Sequence, residues 1–159
     1  MRDLGSIPSP QNAFLLNLGL ETLFLRVPRH CENARVVADF LSKNDKVGWL
    51  DYPDLKDNKY HELAQKYLPN GSSGVISFGI KGGREASIKF INSLEMLSIV
   101  THVADCRTCV LHPASSTHRQ LTDEQLKECG VSDDLIRLSV GIEDVEDILE
   151  DITQALNKI

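Results

Sequence analysis

Residues 135–143 read LIRLSVGIE. Ile136, Leu138 and Val140 alternate with Arg137 and Ser139, the two-residue repeat of a strand whose successive side chains leave opposite faces of a sheet. The apolar set faces a core, so Arg137 leaves the sheet on the other side. A planar guanidinium fork on an open face suits a carboxylate, which it grips through two parallel hydrogen bonds. On the strand pattern alone, a surface arginine on a half-exposed antiparallel strand is the plainer reading, because arginines are mostly exposed. The functional reading is a ligand for an amino-acid carboxylate.

The same alternation recurs at 75–80, where Ile76, Phe78 and Ile80 point one way and Ser77 and Gly79 the other. Two strands of this kind make a sheet with one bare face. Shorter strands are expected at 47–50, 97–100 and 109–111, and helices at 59–68 and 83–94, with PNGSSG (69–74) as a turn. Thr122 opens a further helix with Gln125 at the capping-box position and Gly130 as its stop. A helix over 29–43 carries Ala34, Val37, Ala38 and Leu41 on one face, and the last helix carries Val145, Ile148, Leu149, Ile152 and Leu156 on one stripe. Helices therefore cover one side of the sheet, and polar residues take the other. Residues 11–27 break this pattern. Phe14, Leu15, Leu16, Leu18, Leu20, Leu23, Phe24 and Leu25 leave that helix almost no polar side, so it wants a partner beyond one small domain.

A chain of 159 residues with 42% hydrophobic content and no low-complexity tract builds one globular core. Its 17 basic and 23 acidic residues give a net charge of -6, which argues against a nucleic-acid partner. No apolar run is long enough to span a bilayer and no leader pattern opens the chain, so neither a membrane nor secretion is expected and the expected compartment is the cytoplasm. Cys31, Cys106, Cys109 and Cys129 read as free thiols. The run CRTCVLHPASSTH (106–118) invites a zinc site at Cys106, Cys109, His112 and His118. Two residues between Cys109 and His112 leave no room for the two elements a zinc finger folds around its metal, and residues 110–113 look like a strand ending at proline, not a redox helix. No metal site is expected. GIKGGRE (79–85) lacks the Walker lysine and reads as a tight turn with a helix start.

The segments RDLGSIPSPQNAFLLNLGLETLFLR (2–26), RHCENA (29–34), GVISFGIKGGREA (74–86), HPASSTH (112–118) and DLIRLSVGIED (134–144) resemble, in order and from end to end, the C-terminal third of the Cys/Met-metabolism family of pyridoxal-phosphate enzymes. The wording is most similar to its O-acetylhomoserine sulfhydrylases, which exchange an acetyl ester for sulfide to make homocysteine. The resemblance implies an α/β, two-layer α+β fold: a small, mostly antiparallel sheet with helices on one face, like the C-terminal domain of fold-type I transferases. It implies an interdomain helix and linker over 1–28 that joins a small domain over 29–159, with the N-terminal cofactor domain absent. Arg137 then matches the family arginine that clamps the substrate α-carboxylate, and Thr117 a threonine beside the substrate. His102 and Val103 fall in a segment that helps to hold the same carboxylate.

Departures stand beside these matches. His102 replaces the asparagine or serine usual in the family, and Ala104 a frequent glycine. His102 is open to two readings, a donor to the carboxylate or an exposed loop histidine. The Ser-x-Thr-Lys motif that forms the Schiff base with pyridoxal phosphate is missing, along with the pyridine-binding aspartate and the phosphate loop. The chain alone is therefore expected to bind no cofactor and to catalyse nothing. Met1 precedes a segment that is internal in the family, which reads as an engineered or truncated start. Three readings follow. The first is the small domain of a sulfhydrylase, prone to self-association, with a γ-lyase or cystathionine synthase as the sister possibility. The others are a stand-alone amino-acid-binding or regulatory module, and a structural subunit that completes a separately encoded cofactor protein.

Overall fold

The computed structural model describes residues 5–159, so the first residues of the expected linker lie outside the described residues. The sheet is built around two strands, β2 (Val75–Ile80) and β5 (Leu135–Ser139), which run antiparallel with Ile76 opposite Leu138, Ser77 opposite Arg137 and Phe78 opposite Ile136. Strand β1 (Val47–Asp51) adds antiparallel to β2, with a bulge between Val47 and Trp49. On the other side β4 (Cys109–Leu111) pairs antiparallel with β5, and the two-residue β3 (Ser98–Ile99) lies parallel to β4. The order is β1-β2-β5-β4-β3, the mostly antiparallel sheet expected.

Helices α2 (Leu23–Ser42), α4 (Gly83–Ser93) and α6 (Val145–Leu156) cover one face. Ile76, Phe78, Ile136, Leu138 and Val110 from the strands meet Val37, Leu41, Phe90, Ile148 and Ile152 from the helices, all buried. Phe78 and Phe90 meet edge to face with ring centroids 6.1 Å apart, a geometry worth about 1 kcal/mol beyond the area it buries. Two short helices, α3 (His61–Tyr67) and α5 (Asp123–Glu128), complete the layer connections. Helix α5 carries the full Thr122–Gln125 capping box, and Gly130 takes the left-handed conformation just after it.

The N-terminal helices differ from the sequence pattern. One helix was expected over 11–27 and another from 29, with Pro28 between them. Instead α1 (Pro10–Glu21) ends at Thr22, and α2 runs straight through Pro28. A proline inside a helix forfeits one backbone bond, whereas the break at Thr22 has its own partners. Arg26 turns back, with Nη2 on the Gly19 carbonyl and Nε donating to Thr22 Oγ1 at 3.1 Å, so a carbonyl at the end of α1 is satisfied. No residue of α1 is buried, and Phe14, Leu16 and Phe24 are 61%, 65% and 70% exposed.

Buried Asp151 on α6 ties the helices to the sheet edge. Its carboxylate accepts from the amides of Glu95, Met96 and Leu97 at 2.8, 2.9 and 2.9 Å and from Gln154 Nε2 at 2.8 Å. Burial pushes this carboxyl up, but the donated N–H bonds outweigh burial and hold it below its ordinary value. A carboxyl held low in the folded state stabilises the fold fully above about pH 4, where the unfolded group is also ionised, and less as pH falls below that. Asp151→Asn is expected to lose about 1.5 kcal/mol or more at pH 7, because bonds to a charged acceptor weaken. Urea unfolding at pH 7 and pH 3 measures this; a loss equally large at both pH values contradicts the role of the charge.

Candidate carboxylate-binding site

The helix-free face of the sheet carries one row in register across four strands: Asp51, Ser77, Arg137 and Leu111. Trp49, one step along β1, lies over Gly79, where an added Cβ would run into its indole and into Asp134; the indole Nε1 donates to Asp134 Oδ2 at 2.8 Å. Arg137 is half-buried at the middle of this face. Its Nη2 donates to the Thr101 carbonyl at 2.9 Å. Among the described residues that is the one side-chain hydrogen bond of the fork, which carries five N–H donors.

Thr101 opens a loop over 101–108 that lies against β5 and its extension. Ser139 Oγ accepts the Ala104 amide at 3.0 Å, and the Ile142 amide donates to the Cys106 carbonyl at 2.9 Å. The Glu143 carboxylate accepts from both the amide and the hydroxyl of Thr108, whose Oγ1 in turn accepts the Gly141 amide at 2.9 Å. Gly141 leaves no space for a side chain, since a Cβ would collide with Glu143 Oε2 and the Cys106 carbonyl. Helix α2 holds the same extension from behind. Asn33 Nδ2 donates to the Gly141 and Glu143 carbonyls at 3.1 and 2.9 Å, and His30 Nδ1 donates to the Val140 carbonyl at 2.7 Å. The segments RHCENA and RLSVGIE are thus two halves of one anchor.

Inside the loop, Asp105 accepts from the Arg107 side chain and backbone amide and faces His102 Nδ1 at 3.2 Å. The Arg107 bonds hold its carboxyl well below the usual range. Ala104 adopts φ +58°, the left-handed region that glycine occupies without strain. Of the residues picked from sequence, Arg137 bonds Thr101, the residue just before His102 and Val103 in the loop. Val103 is 54% exposed and His102 points Nδ1 at Asp105. Thr117 lies elsewhere in hydrogen-bonding terms: it is exposed beyond a 3₁₀ turn (Pro113–Ser115), and its Oγ1 is 2.9 Å from His118 Nδ1. Ser139 and Glu143 went unrecognised in the sequence as holders of the loop. Their signal was the continued alternation of polar groups past the end of the strand.

The cysteine and histidine run has structural partners. Burial pushes the Cys109 thiol up, and His112 engages Ser115 Oγ and the Asp133 carbonyl, each at 2.8 Å. Among the described residues no three His, Cys, Asp or Glu side chains converge as a metal set. Gly82 and Gly83, both with positive φ, form the turn into α4. No helix among the described residues is long and apolar enough to cross a membrane.

Comparison with known proteins places this geometry. The model of the Cys/Met metabolism PLP-dependent enzyme family matches residues 1–157. Homocysteine synthase of Schizosaccharomyces pombe is 49% identical over 156 residues, covering 98% of this chain and 36% of the relative. L-methionine gamma-lyase of Fusobacterium nucleatum is 42% identical over 155 residues, 98% of this chain and 39% of the relative. A Campylobacter jejuni protein assigned as an O-acetylhomoserine (thiol)-lyase, solved with N′-pyridoxyl-lysine-5′-monophosphate, superposes with a TM-score of 0.89 at 39% identity over 98% of this chain and 37% of its own. The chain spans little more than a third of the length of these relatives.

Ala104→Gly is expected to raise stability by about 0.5–1 kcal/mol, since it removes a left-handed alanine at some cost in backbone entropy. Thermal unfolding of the two proteins tests this, and an unchanged or lower midpoint counts against strain at Ala104.

Proposed function

The chain belongs to the Cys/Met metabolism PLP-dependent enzymes, and from that premise we propose that it is the small C-terminal domain of an O-acetylhomoserine sulfhydrylase, where Arg137 grips the substrate α-carboxylate. In this reading residues 1–28 are the linker and interdomain helix, and 29–159 the domain proper. The intact enzyme, cytoplasmic and oligomeric, converts O-acetylhomoserine and sulfide to homocysteine and acetate. One observation carries the reading: a half-buried guanidinium on the sheet face away from α2, α4 and α6, held by the Thr101 carbonyl through one of its donors. His102 and Val103 line the approach to it, and Thr117 borders the substrate once the rest of the protein is in place.

The residues present do not fit the cofactor by themselves. Every lysine lies outside the strands. Lys46 Nζ is taken up by the Leu156 and Ile159 carbonyls, Lys81 by the Asp45 carbonyl, and Lys43 and Lys158 by carboxylates. The strands that carry Arg137 and its row thus supply a carboxylate grip and no lysine for a Schiff base. Chemistry at the pyridoxal phosphate falls to the remainder of the longer protein, and this domain alone is inactive. The similarity to a methionine gamma-lyase supports a second reading, in which the same grip serves an elimination.

Joined to the missing part of Schizosaccharomyces pombe homocysteine synthase, the chain is expected to support homocysteine formation from O-acetylhomoserine and sulfide. Arg137→Ala in that hybrid should lower kcat/KM by about a hundredfold, the loss expected from a charged two-bond grip. An unchanged kcat/KM removes Arg137 from substrate binding, turnover by the chain alone refutes its inactivity, and release of an α-keto acid from methionine marks the lyase. Isolated, the chain should self-associate through the exposed apolar side of α1 and the start of α2. Sedimentation of Leu16→Glu/Phe24→Glu against the parent checks this; equal monomer fractions reject it.

A further inference from the structure

Strand β5 and its extension are fastened to loop 101–108 at alternate positions. Arg137 bonds the Thr101 carbonyl, Ser139 the Ala104 amide, the Gly141 amide the Thr108 hydroxyl, and Glu143 both the amide and the hydroxyl of Thr108. The guanidinium is therefore aimed by a carbonyl that belongs to the loop, and the loop is held by groups that point into it and not at the open face. Ser139 is buried, and both oxygens of the Glu143 carboxylate are spent on Thr108. The side-chain oxygens of both residues are thus already bonded to the loop.

We infer that Ser139 and Glu143 are positioning residues, which fix loop 101–108 so that the Thr101 carbonyl holds the Arg137 fork ready for a carboxylate. The inference rests on the reading of Arg137 as the carboxylate ligand. Its physical basis is population. A long arginine side chain without its carbonyl partner spreads over many rotamers, and only the fraction with the fork aimed outward binds with two bonds. Loss of the Ala104 or Thr108 fastening leaves the loop free to carry Thr101 away. Arg137 then keeps its charge and loses its direction.

The experiment uses the folded chain. Its arginines are modified to low extent with p-hydroxyphenylglyoxal, and the rate at each is read by peptide mass spectrometry. Arg35, ion-paired to Asp54 at 2.7 Å and outside the loop, is the internal control. Ser139→Ala, which loses one hydrogen bond to the loop, and Glu143→Ala, which loses two, should each raise the Arg137 rate by about threefold or more, as expected when bonds that limit local opening are lost. The Arg35 rate should hold. Glu143→Gln keeps an acceptor for the Thr108 amide and should return the Arg137 rate towards that of the parent. An unchanged Arg137 rate in the alanine variants overturns the inference, and so does a rise shared equally by Arg35, which marks general loosening. If Glu143→Ala does not fold, Ser139→Ala and Glu143→Gln decide. Acetate protection of Arg137 in the parent chain reads the carboxylate proposal separately: its absence overturns that proposal, while the variant rates still decide whether the loop aims the arginine.

Discussion

The antiparallel pairing of β2 with β5 sets the terms for the rest of the molecule. With Ser77 opposite Arg137 and Phe78 opposite Ile136, each of the two strands sends one set of side chains to the helices and the other to the open face. A slip of one residue would exchange the two sets, placing a guanidinium in the core and isoleucines in solvent. The apolar set prevents that slip. Ile76, Phe78, Ile136 and Leu138 are each at most 1% exposed, so the hydrophobic core that stabilises the fold also specifies the face from which Arg137 leaves the sheet.

A strand alone gives Arg137 a side, not a direction. The direction comes from tertiary partners that are far apart in sequence: α2 through His30 and Asn33, the turn after β5 through Gly141 and Glu143, and the loop through Thr101. Each step uses a backbone carbonyl or amide on one side. Such bonds constrain position strongly, and at Gly141 the backbone and side chains they draw together leave no space for a Cβ.

This explains what the sequence alone could and could not convey. The two central strands, the capping box at Thr122 and the apolar stripe of α6 were legible because each is a local pattern with a fixed period or spacing. The open face followed from the same alternation. The break between α1 and α2 was not legible, because proline is the stronger local signal, whereas the break observed is accompanied by side-chain bonds from Arg26 back to Thr22 and Gly19. The loop geometry at Ala104 was legible only as a departure from the glycine that the family resemblance implies; the φ found there is positive, a conformation glycine adopts without strain. Ser139 and Glu143 continue the alternation of the strand, but that pattern does not say what they hold, since their partners lie 35 residues away.

Trp49 is the one tryptophan of the chain, and it rests on the open face beside the row that contains Arg137, bonded to Asp134 above Gly79. An indole at 37% exposure sits between water and protein, and its excited state responds to small changes in either. Whatever covers this face in a longer protein also covers the chromophore. The chain thus carries an intrinsic optical reporter on the face that bears Arg137, and any contact made there can be followed by light without a label.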